Sequence, residues 1–483
     1  MKKRFSRIAG VIAACVIIAL LLSYLTVLTV WKETYKEKGT FVDKAGDCDV
    51  LLFGNSRIRD SVFPMELWNE FGITSYNLGL PGTTVQTYYW ALVNALDYAD
   101  PELVVVDCCL LARTTEESLS SIQAVMAAFP FSFTKVRTAL DIFPLDEYSF
   151  DDMFAVIWPF SKFHNRWAEL EPDDFHNDKS DALGAFECVR SVVPEFDSTT
   201  PADTDYAKIE KSIDNMRRIA QLCSERGIKL VFSYTPHPAT NTERWQTSVA
   251  EETAAELGVE FINFLDTDIV DYYTDMYDAN SHLNISGARK LTRYLGRLLS
   301  EEYGLADHRG EAGYSSWDAD YQEYLKTREQ QLADETDLSR ALLMLSYERY
   351  SSLIYIPAGS ELFGNDRVTK LIENAAGTEL PELRKAAESG EEYLLLTDRA
   401  AAASYEASGS GIYDGSGGIK LSADLSELSV GAQSYPLSVF GFPGDGDVRV
   451  FVFTPELEPI PECCHSFGLG ADGAFILTDY FQK

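Results

Sequence analysis

Val50-Leu51-Leu52-Phe53-Gly54-Asn55-Ser56 is the stretch that decides the fold. Four apolar residues, too few for a helix, break off at glycine, asparagine and serine. Such a run, bounded by a turn signal, reads as a strand buried on both faces, as in a parallel sheet. Working outward, similar runs alternate with amphipathic segments. Thr84–Tyr98 carries Val85, Tyr89, Leu92 and Leu96 at helical spacing, and Leu103–Val106 is a second buried strand. Tyr206–Arg226 sets Ile209, Ile213, Met216 and Ile219 on one face and stops at Gly227. Lys229–Ser233 reads as a third strand, Ser248–Leu257 as a helix ended by Gly258, and Glu260–Phe264 as a fourth strand. Ser286 is expected to cap a helix running to Tyr303. Strands alternating with helices predict an α/β domain over residues 46–304, a parallel sheet covered on both faces.

Within that domain, residues 131–204 are less periodic and rich in aromatics and acids, and read as an insertion or lid. Residues 305–345 are polar and helix-prone, a helical connector. After them the short runs Leu353–Ile356, Tyr393–Leu396, Ile419–Leu421 and Val448–Phe453 are punctuated by Gly and Ser. They predict a smaller β-rich α+β domain over residues 346–483.

Residues 1–31 fix the expected compartment. Lys2, Lys3, Arg4 and Arg7 precede an uncharged run from Ile8 to Val30. A run of that length crosses a hydrocarbon core of ~30 Å, and no small-residue cleavage site follows it. It reads as an uncleaved signal-anchor with its basic tip in the cytoplasm. The alternative is a long, cleaved signal peptide. Lys32, Lys36 and Lys38 after the span are interleaved with Glu33 and Glu37. The expectation is a single-pass protein of the cell membrane with the bulk of the chain extracytoplasmic.

The 483 residues hold 41 Lys and Arg against 75 Asp and Glu, a formal net charge of −34. That excludes a general nucleic-acid binder, because phosphate contacts need clustered cations. An anionic polymer would have to be held by neutral sugar contacts or by local arginines such as Arg57, Arg59 and Arg166. Cys15 lies in the span; the other seven cysteines form neither a disulfide framework nor a zinc pattern. No nucleotide, metal or other cofactor is implied.

Three segments carry chemistry. Ser56 follows a buried strand on a glycine turn, and in open α/β sheets ligands bind outside the carboxyl ends of the strands. The plainer reading is a serine that caps Ser56-Arg57-Ile58-Arg59. Tyr76-Asn77-Leu78-Gly79-Leu80-Pro81-Gly82-Thr83-Thr84 is a glycine-rich turn into a helix, where backbone N–H groups can meet an oxyanion. Asp278-Ala279-Asn280-Ser281-His282-Leu283-Asn284-Ile285-Ser286-Gly287-Ala288 sets a His and an Asp on one loop, the base and the orienting acid that a serine nucleophile needs. His164 and Arg166, beside Trp167, are candidates for a substrate rim, with packing as the plainer reading. His237, in Tyr234-Thr235-Pro236-His237-Pro238, is a candidate substrate contact at a strand end, as is Asn55 beside Ser56.

Together the three segments resemble the SGNH (GDSL-like) hydrolase family. Closer is its membrane-anchored extracytoplasmic branch, which includes proteins similar to the teichoic acid D-alanyl transfer protein and the alginate-type O-acetyltransferases. The resemblance covers roughly residues 46–304 and implies a flavodoxin-like sheet. It implies Ser56 as nucleophile, His282 as base and Asp278 as its orienter. The N–H groups of Ser56 and Gly82 would form the oxyanion hole. Two places depart from the family pattern. The usual spacing is Asp-x-x-His, but Ala279 stands three before His282. Either the loop carries one extra residue, or Asp275 serves, or the His acts without a carboxylate. After Leu103–Val106 the family has Gly-x-Asn-Asp; here Asp107-Cys108-Cys109 follows, so the side-chain oxyanion donor is missing or supplied elsewhere. The run Asp447–Phe453 and the late aromatic strand near Tyr480-Phe481 give residues 346–483 a looser similarity to the interleukin-like (ILEI-type) domain.

The expected function is that of a serine esterase or O-acyltransferase acting on acyl esters of a cell-surface polysaccharide or wall polymer. A membrane-bound O-acyltransferase would be its partner in acyl supply. The alternative is a catalytically degenerate scaffold that binds envelope glycan or protein.

Overall fold

The computed structural model describes residues 2–30, 38–175, 181–196, 199–346, 349–415, 418–440, 448–471 and 473–480. The charged stretch Trp31–Glu37 after the apolar helix, as well as Asp447 and Phe481, lies outside the described residues. The chain divides into two compact units. Unit 1 is Met1–Phe186, Glu195–Val270 and Leu291–Tyr321; unit 2 is Glu187–Pro194, Asp271–Lys290 and Gln322–Lys483.

Unit 1 is built on five parallel strands: β1 (Val50–Phe53), β2 (Ser75–Asn77), β3 (Leu103–Asp107), β4 (Lys229–Tyr234) and β5 (Glu260–Asn263). Their order is β2-β1-β3-β4-β5, the flavodoxin-like arrangement, with Val50 opposite Ser75 on one side and Leu103 on the other. β1 and β3 are buried along their whole length, which explains runs with no alternation of polar residues. Successive side chains face opposite ways. Val50, Leu52, Leu103, Val105 and Val231 form one core with Leu67 of the helix Pro64–Phe71 and with Leu295 and Leu299 of the helix Ile285–Glu301. Leu51, Phe53, Val104 and Val106 are buried as well. The helix Glu210–Arg226 packs on β4 and on the helix Val85–Ala95, where the Arg218 guanidinium lies 3.9 Å from the centre of the Tyr89 ring.

Three details differ from the sequence reading. β2 was not expected: Ser-Tyr-Asn is too short and polar to signal a strand, yet all three residues are buried. The third helix starts at Asn241, seven residues before Ser248, because Thr240 and Glu243 close a capping box. The helix at Ile285 is capped by Asn284 rather than Ser286; Asn284 Oδ1 accepts from the N–H groups of Ser286 and Gly287 at 3.1 and 3.2 Å.

Unit 1 also carries the N-terminal helix α1 (Lys2–Thr29). Its Gly10–Thr29 portion is long and apolar enough to cross a membrane. The less periodic aromatic segment, read as an insertion or lid, contains the helices Phe133–Ile142, Phe150–Ile157 and Phe160–Phe163.

Unit 2 holds an antiparallel six-stranded sheet, β14-β13-β12-β6-β7-β8, and a three-stranded one, β11-β10-β9. In chain order these strands are β6 (Ser351–Ile356), β7 (Tyr393–Asp398), β8 (Ala403–Ser408), β9 (Ile419–Leu421), β10 (Glu427–Val430), β11 (Gln433–Pro436), β12 (Val448–Phe453), β13 (His465–Leu469) and β14 (Phe475–Tyr480). Leu353, Leu394, Leu396, Phe451 and Phe453 of the larger sheet share a core with Ile419, Leu421 and Leu428 of the smaller. The seven cysteines beyond Cys15 are all buried and stand outside any disulfide.

Leu52→Ala, in the middle of the fully buried β1, is expected to cost about 2–5 kcal/mol. Denaturant titration of the full chain, followed by near-ultraviolet circular dichroism, measures it.

Candidate active site

In unit 1, β1 ends at Phe53 and the chain turns at once. Gly54 has φ 154°, and a β-carbon there would lie 2.8 Å from Asp107 Cβ and from Ile58 Cγ2. Asn55 is wholly buried, and its Oδ1 accepts from Arg57 N at 2.8 Å, which caps the short helix Ser56–Arg59. Ser56 is the first partly exposed residue after the six buried positions from Val50 to Asn55 have carried the chain to the sheet edge.

The turn after β2 is laced to this one. Leu78 N donates to Leu52 O at 2.7 Å and Leu80 N to Gly54 O at 2.9 Å. The buried Asn77 side chain donates to Ile58 O and Val62 O at 2.9 and 2.8 Å and accepts from Gly79 N at 2.9 Å. Gly79 lies so close that a β-carbon would sit 2.7 Å from Arg59 N. Gly82, with φ 64°, needs glycine for its left-handed turn, and its carbonyl accepts from Arg113 Nε at 3.0 Å. Asn77, the last residue of β2, is the positioning residue that sequence reasoning passed over; an amide two residues before a glycine was its signal.

Behind the serine turn lies a buried polar network. Asp107 Oδ1 accepts from Thr235 N and Oγ1, both at 2.7 Å, and Oδ2 accepts from Cys109 N at 3.4 Å. Burial still raises the Asp107 pKa, although these hydrogen bonds oppose the shift. His237 is wholly buried; Nδ1 sits 3.0 Å from Thr235 O and Nε2 3.2 Å from Glu243 Oε1. Arg57, also buried, donates from Nη2 to the same Oε1 at 2.8 Å. Burial would raise the Glu243 pKa, but His237 and Arg57 hold it well below the usual carboxylate range. For His237 burial wins and lowers the pKa, against the pull of Glu243.

These contacts show how the residues expected to touch substrate are engaged. Asn55 and His237 present no surface to a substrate. Arg57 is spent on Glu243, and Arg59 Nε pairs with Asp60 Oδ1 at 2.5 Å while its guanidinium covers the Phe186 ring at 4.7 Å. Arg166 is bound to Val30 O at 3.1 Å and to Asp174 Oδ1 at 2.9 Å, at the end of α1. His164 is exposed on the neighbouring turn, with Nδ1 2.8 Å from Ser161 O.

In unit 2 the loop Tyr277–His282 is closed by an antiparallel bridge between Met276 and Leu283. His282 Nδ1 lies 2.5 Å from Asp278 Oδ2. Asp278 Oδ1 accepts from the N–H groups of Asn280, Ser281 and His282 at 3.2, 2.7 and 3.1 Å. Partial burial would raise the Asp278 pKa; the imidazole and the amides overcome it and keep the carboxyl low and ionised. The four-residue spacing thus still joins the acid to the ring. Asp275 is committed elsewhere: it is buried, and Oδ2 binds Lys290 Nζ at 2.7 Å and Asp271 N at 2.8 Å.

The strap Glu187–Pro194 buttresses this loop. Val192 N donates to Met276 O at 2.9 Å, Ser191 Oγ to Thr274 O at 2.8 Å, and Cys188 O accepts from Ile285 N at 2.9 Å. Nothing in the sequence marked the strap, because its bonds are mostly main-chain. Ser56 and the Asp278–His282 pair belong to different units. The position after β3 carries Cys108 and Cys109, both buried, and no side-chain amide. Among the described residues no group of three His, Cys, Asp or Glu could hold a metal ion.

The fold of unit 1 defines a parallel α/β protein with a serine at the carboxyl edge of its sheet. No family model, curated protein or solved structure matches the chain.

Glu243→Gln leaves Arg57 buried without a counter-charge and should cost about 3–5 kcal/mol, read from the shift of the denaturation midpoint. His237 adds a pH effect of known sign. The folded chain takes up this proton at lower pH than the unfolded chain, whose value is about 6.5. Acidification below about 6.5 therefore favours unfolding, until the folded value is passed. Replacing His237 by Gln should flatten the fall of the unfolding midpoint between pH 6.5 and 5.

Proposed function

We propose that the chain is an SGNH-type serine esterase or O-acyltransferase, anchored in the membrane by α1, that acts on acyl esters of a cell-surface polysaccharide or wall polymer. The observation that carries this reading is the Asp278–His282 pair, 2.5 Å apart, with the carboxylate held ionised. Ser56 supports it as the partly exposed hydroxyl that follows a buried strand at the β1/β3 switch point. In the proposed reaction Ser56 Oγ attacks the ester carbonyl as His282 takes the hydroxyl proton. Asp278 fixes the imidazole tautomer and stabilises the imidazolium. The N–H groups of Ser56 and Gly82 meet the oxyanion. His282 returns its proton to the leaving alkoxide, which leaves an acyl-Ser56. Water or a glycan hydroxyl then attacks that ester, and His282 again acts as base. In the transferase case a membrane-bound O-acyltransferase supplies the acyl group from the other side. The basic tip at Lys2, Lys3, Arg4 and Arg7 would stay in the cytoplasm, with the chain beyond α1 outside.

One observation favours the second reading, a scaffold that binds envelope glycan or protein: no side-chain amide follows β3 where a third oxyanion donor would stand. Loss of one such donor costs roughly 10²–10³ in rate, which a slow enzyme can bear.

Ser56→Ala should abolish both labelling by a fluorophosphonate and turnover of p-nitrophenyl acetate. Labelling that survives the substitution ends the proposal. Asp278→Asn, which keeps an amide oxygen for the loop N–H groups, should lower kcat by about 10²–10⁴ with little change in KM. Glycan binding that survives Ser56→Ala, with no turnover by the unmutated chain, selects the scaffold.

A further inference from the structure

The end of α1 is built into unit 1. Val11, Ile12, Val16, Ile17, Leu20, Leu21 and Tyr24 stand exposed along it, but Leu28, Thr29 and Val30 are buried. The helix Phe160–Phe163 and the turn His164–Glu169 pack against α1. Arg166 takes the last carbonyls of the helix: Nη1 donates to Val30 O at 3.1 Å and reaches Leu28 O at 3.5 Å, while Nη2 binds Asp174. A cation at a helix C-terminus offsets the unpaired carbonyls there.

Around this junction the surface is aromatic. Phe150 stacks on Phe154, Phe154 meets Trp158, and Trp158 meets Phe160, with ring centres 5.4 to 5.8 Å apart. The rings lead toward α1: Phe154, Trp158 and Phe160 are half-buried, while Phe150 at one end is 59% exposed and Trp167, one residue past Arg166, is 70% exposed. In Phe160-Ser161-Lys162-Phe163-His164-Asn165-Arg166-Trp167 the rings alternate with Lys162 and Arg166. Exposed apolar surface of this kind is costly in water. Aromatic rings beside a lysine settle at the headgroup level of a bilayer, where the rings sit in the apolar edge and an exposed cation such as Lys162 reaches the phosphates; Arg166 is already held by Val30 O and Asp174.

We propose that Phe150–Trp167 is a membrane-interface collar, which lies in the headgroup layer of the leaflet where α1 emerges and holds unit 1 down on the bilayer. The occupant is the lipid surface because the exposed rings are continuous with the buried end of α1. The proposal rests on α1 spanning the membrane, and extends that anchor from a single helix to a broad contact. The acidic bulk of the chain would otherwise be pushed from an anionic surface, so the contact is short-range and apolar.

The test uses the full chain reconstituted into phosphatidylcholine–phosphatidylglycerol nanodiscs that contain a phospholipid with a diazirine close to its glycerol backbone. After irradiation, mass spectrometry locates lipid adducts. Adducts are expected on α1 and on peptides covering Phe150–Trp167. The double substitution Phe150→Ser and Trp167→Ser, both at exposed positions, should remove the second set and keep the first. Adducts on α1 alone overturn the collar and leave the anchor standing. Adducts on neither overturn the anchor itself.

Discussion

The carboxyl ends of β1 and β3 approach so closely that residue 54 has no room for a side chain. A β-carbon on Gly54 would fall 2.8 Å from Asp107 Cβ, well inside van der Waals contact. The chain must therefore turn immediately after Phe53, and Asn55 is drawn inward to cap the next turn. Ser56 is the first side chain left at the sheet edge. Asp107, pressed against the glycine, is buried with both oxygens engaged, and Thr235 from the end of β4 supplies two of the donors. The ends of β3 and β4 are thereby joined through one carboxyl group, and the end of β1 packs against its β-carbon.

The charges behind the turn follow from the same crowding. Arg57 points into the protein because Ser56 faces out, and a buried guanidinium needs a buried acid. Glu243 supplies it, with Oε2 still closing the capping box at Thr240. The start of the helix Asn241–Leu257 is thus tied to the serine turn. In unit 2 a similar economy orders the His282 loop. One oxygen of Asp278 gathers three main-chain N–H groups, and the other meets the imidazole. Asn284 does the same for the next helix, with Oδ1 on its first amides and Nδ2 on Thr274 O. Short polar side chains folded back on nearby amides hold both loops.

Much of the sheet was legible because buried strands leave unbroken apolar runs: Val50–Phe53 and Leu103–Val106 appear where the pattern put them. β2 was hidden because three residues carry no period. The early start of the helix at Asn241 was hidden by its charged first turn, although Thr240 and Glu243 hold the capping-box spacing. Asp278 and His282 were legible as a pair because their contact is local, four residues apart.

The residues whose roles changed are those with distant partners. His237, Arg57 and Arg166 look from the sequence like polar groups near a cleft. They are instead satisfied by Glu243, by Glu243 again, and by the carbonyls at the end of α1. The sequence by itself determined the apolar helix, the alternating α/β core and the local turns, because periodicity and short-range hydrogen bonds are written within a few residues. Only the tertiary structure decided which polar side chains face solvent and which are used up inside. That depends on groups brought together from 186 positions apart, as Arg57 and Glu243 are, where desolvation lets no charge stay unpaired.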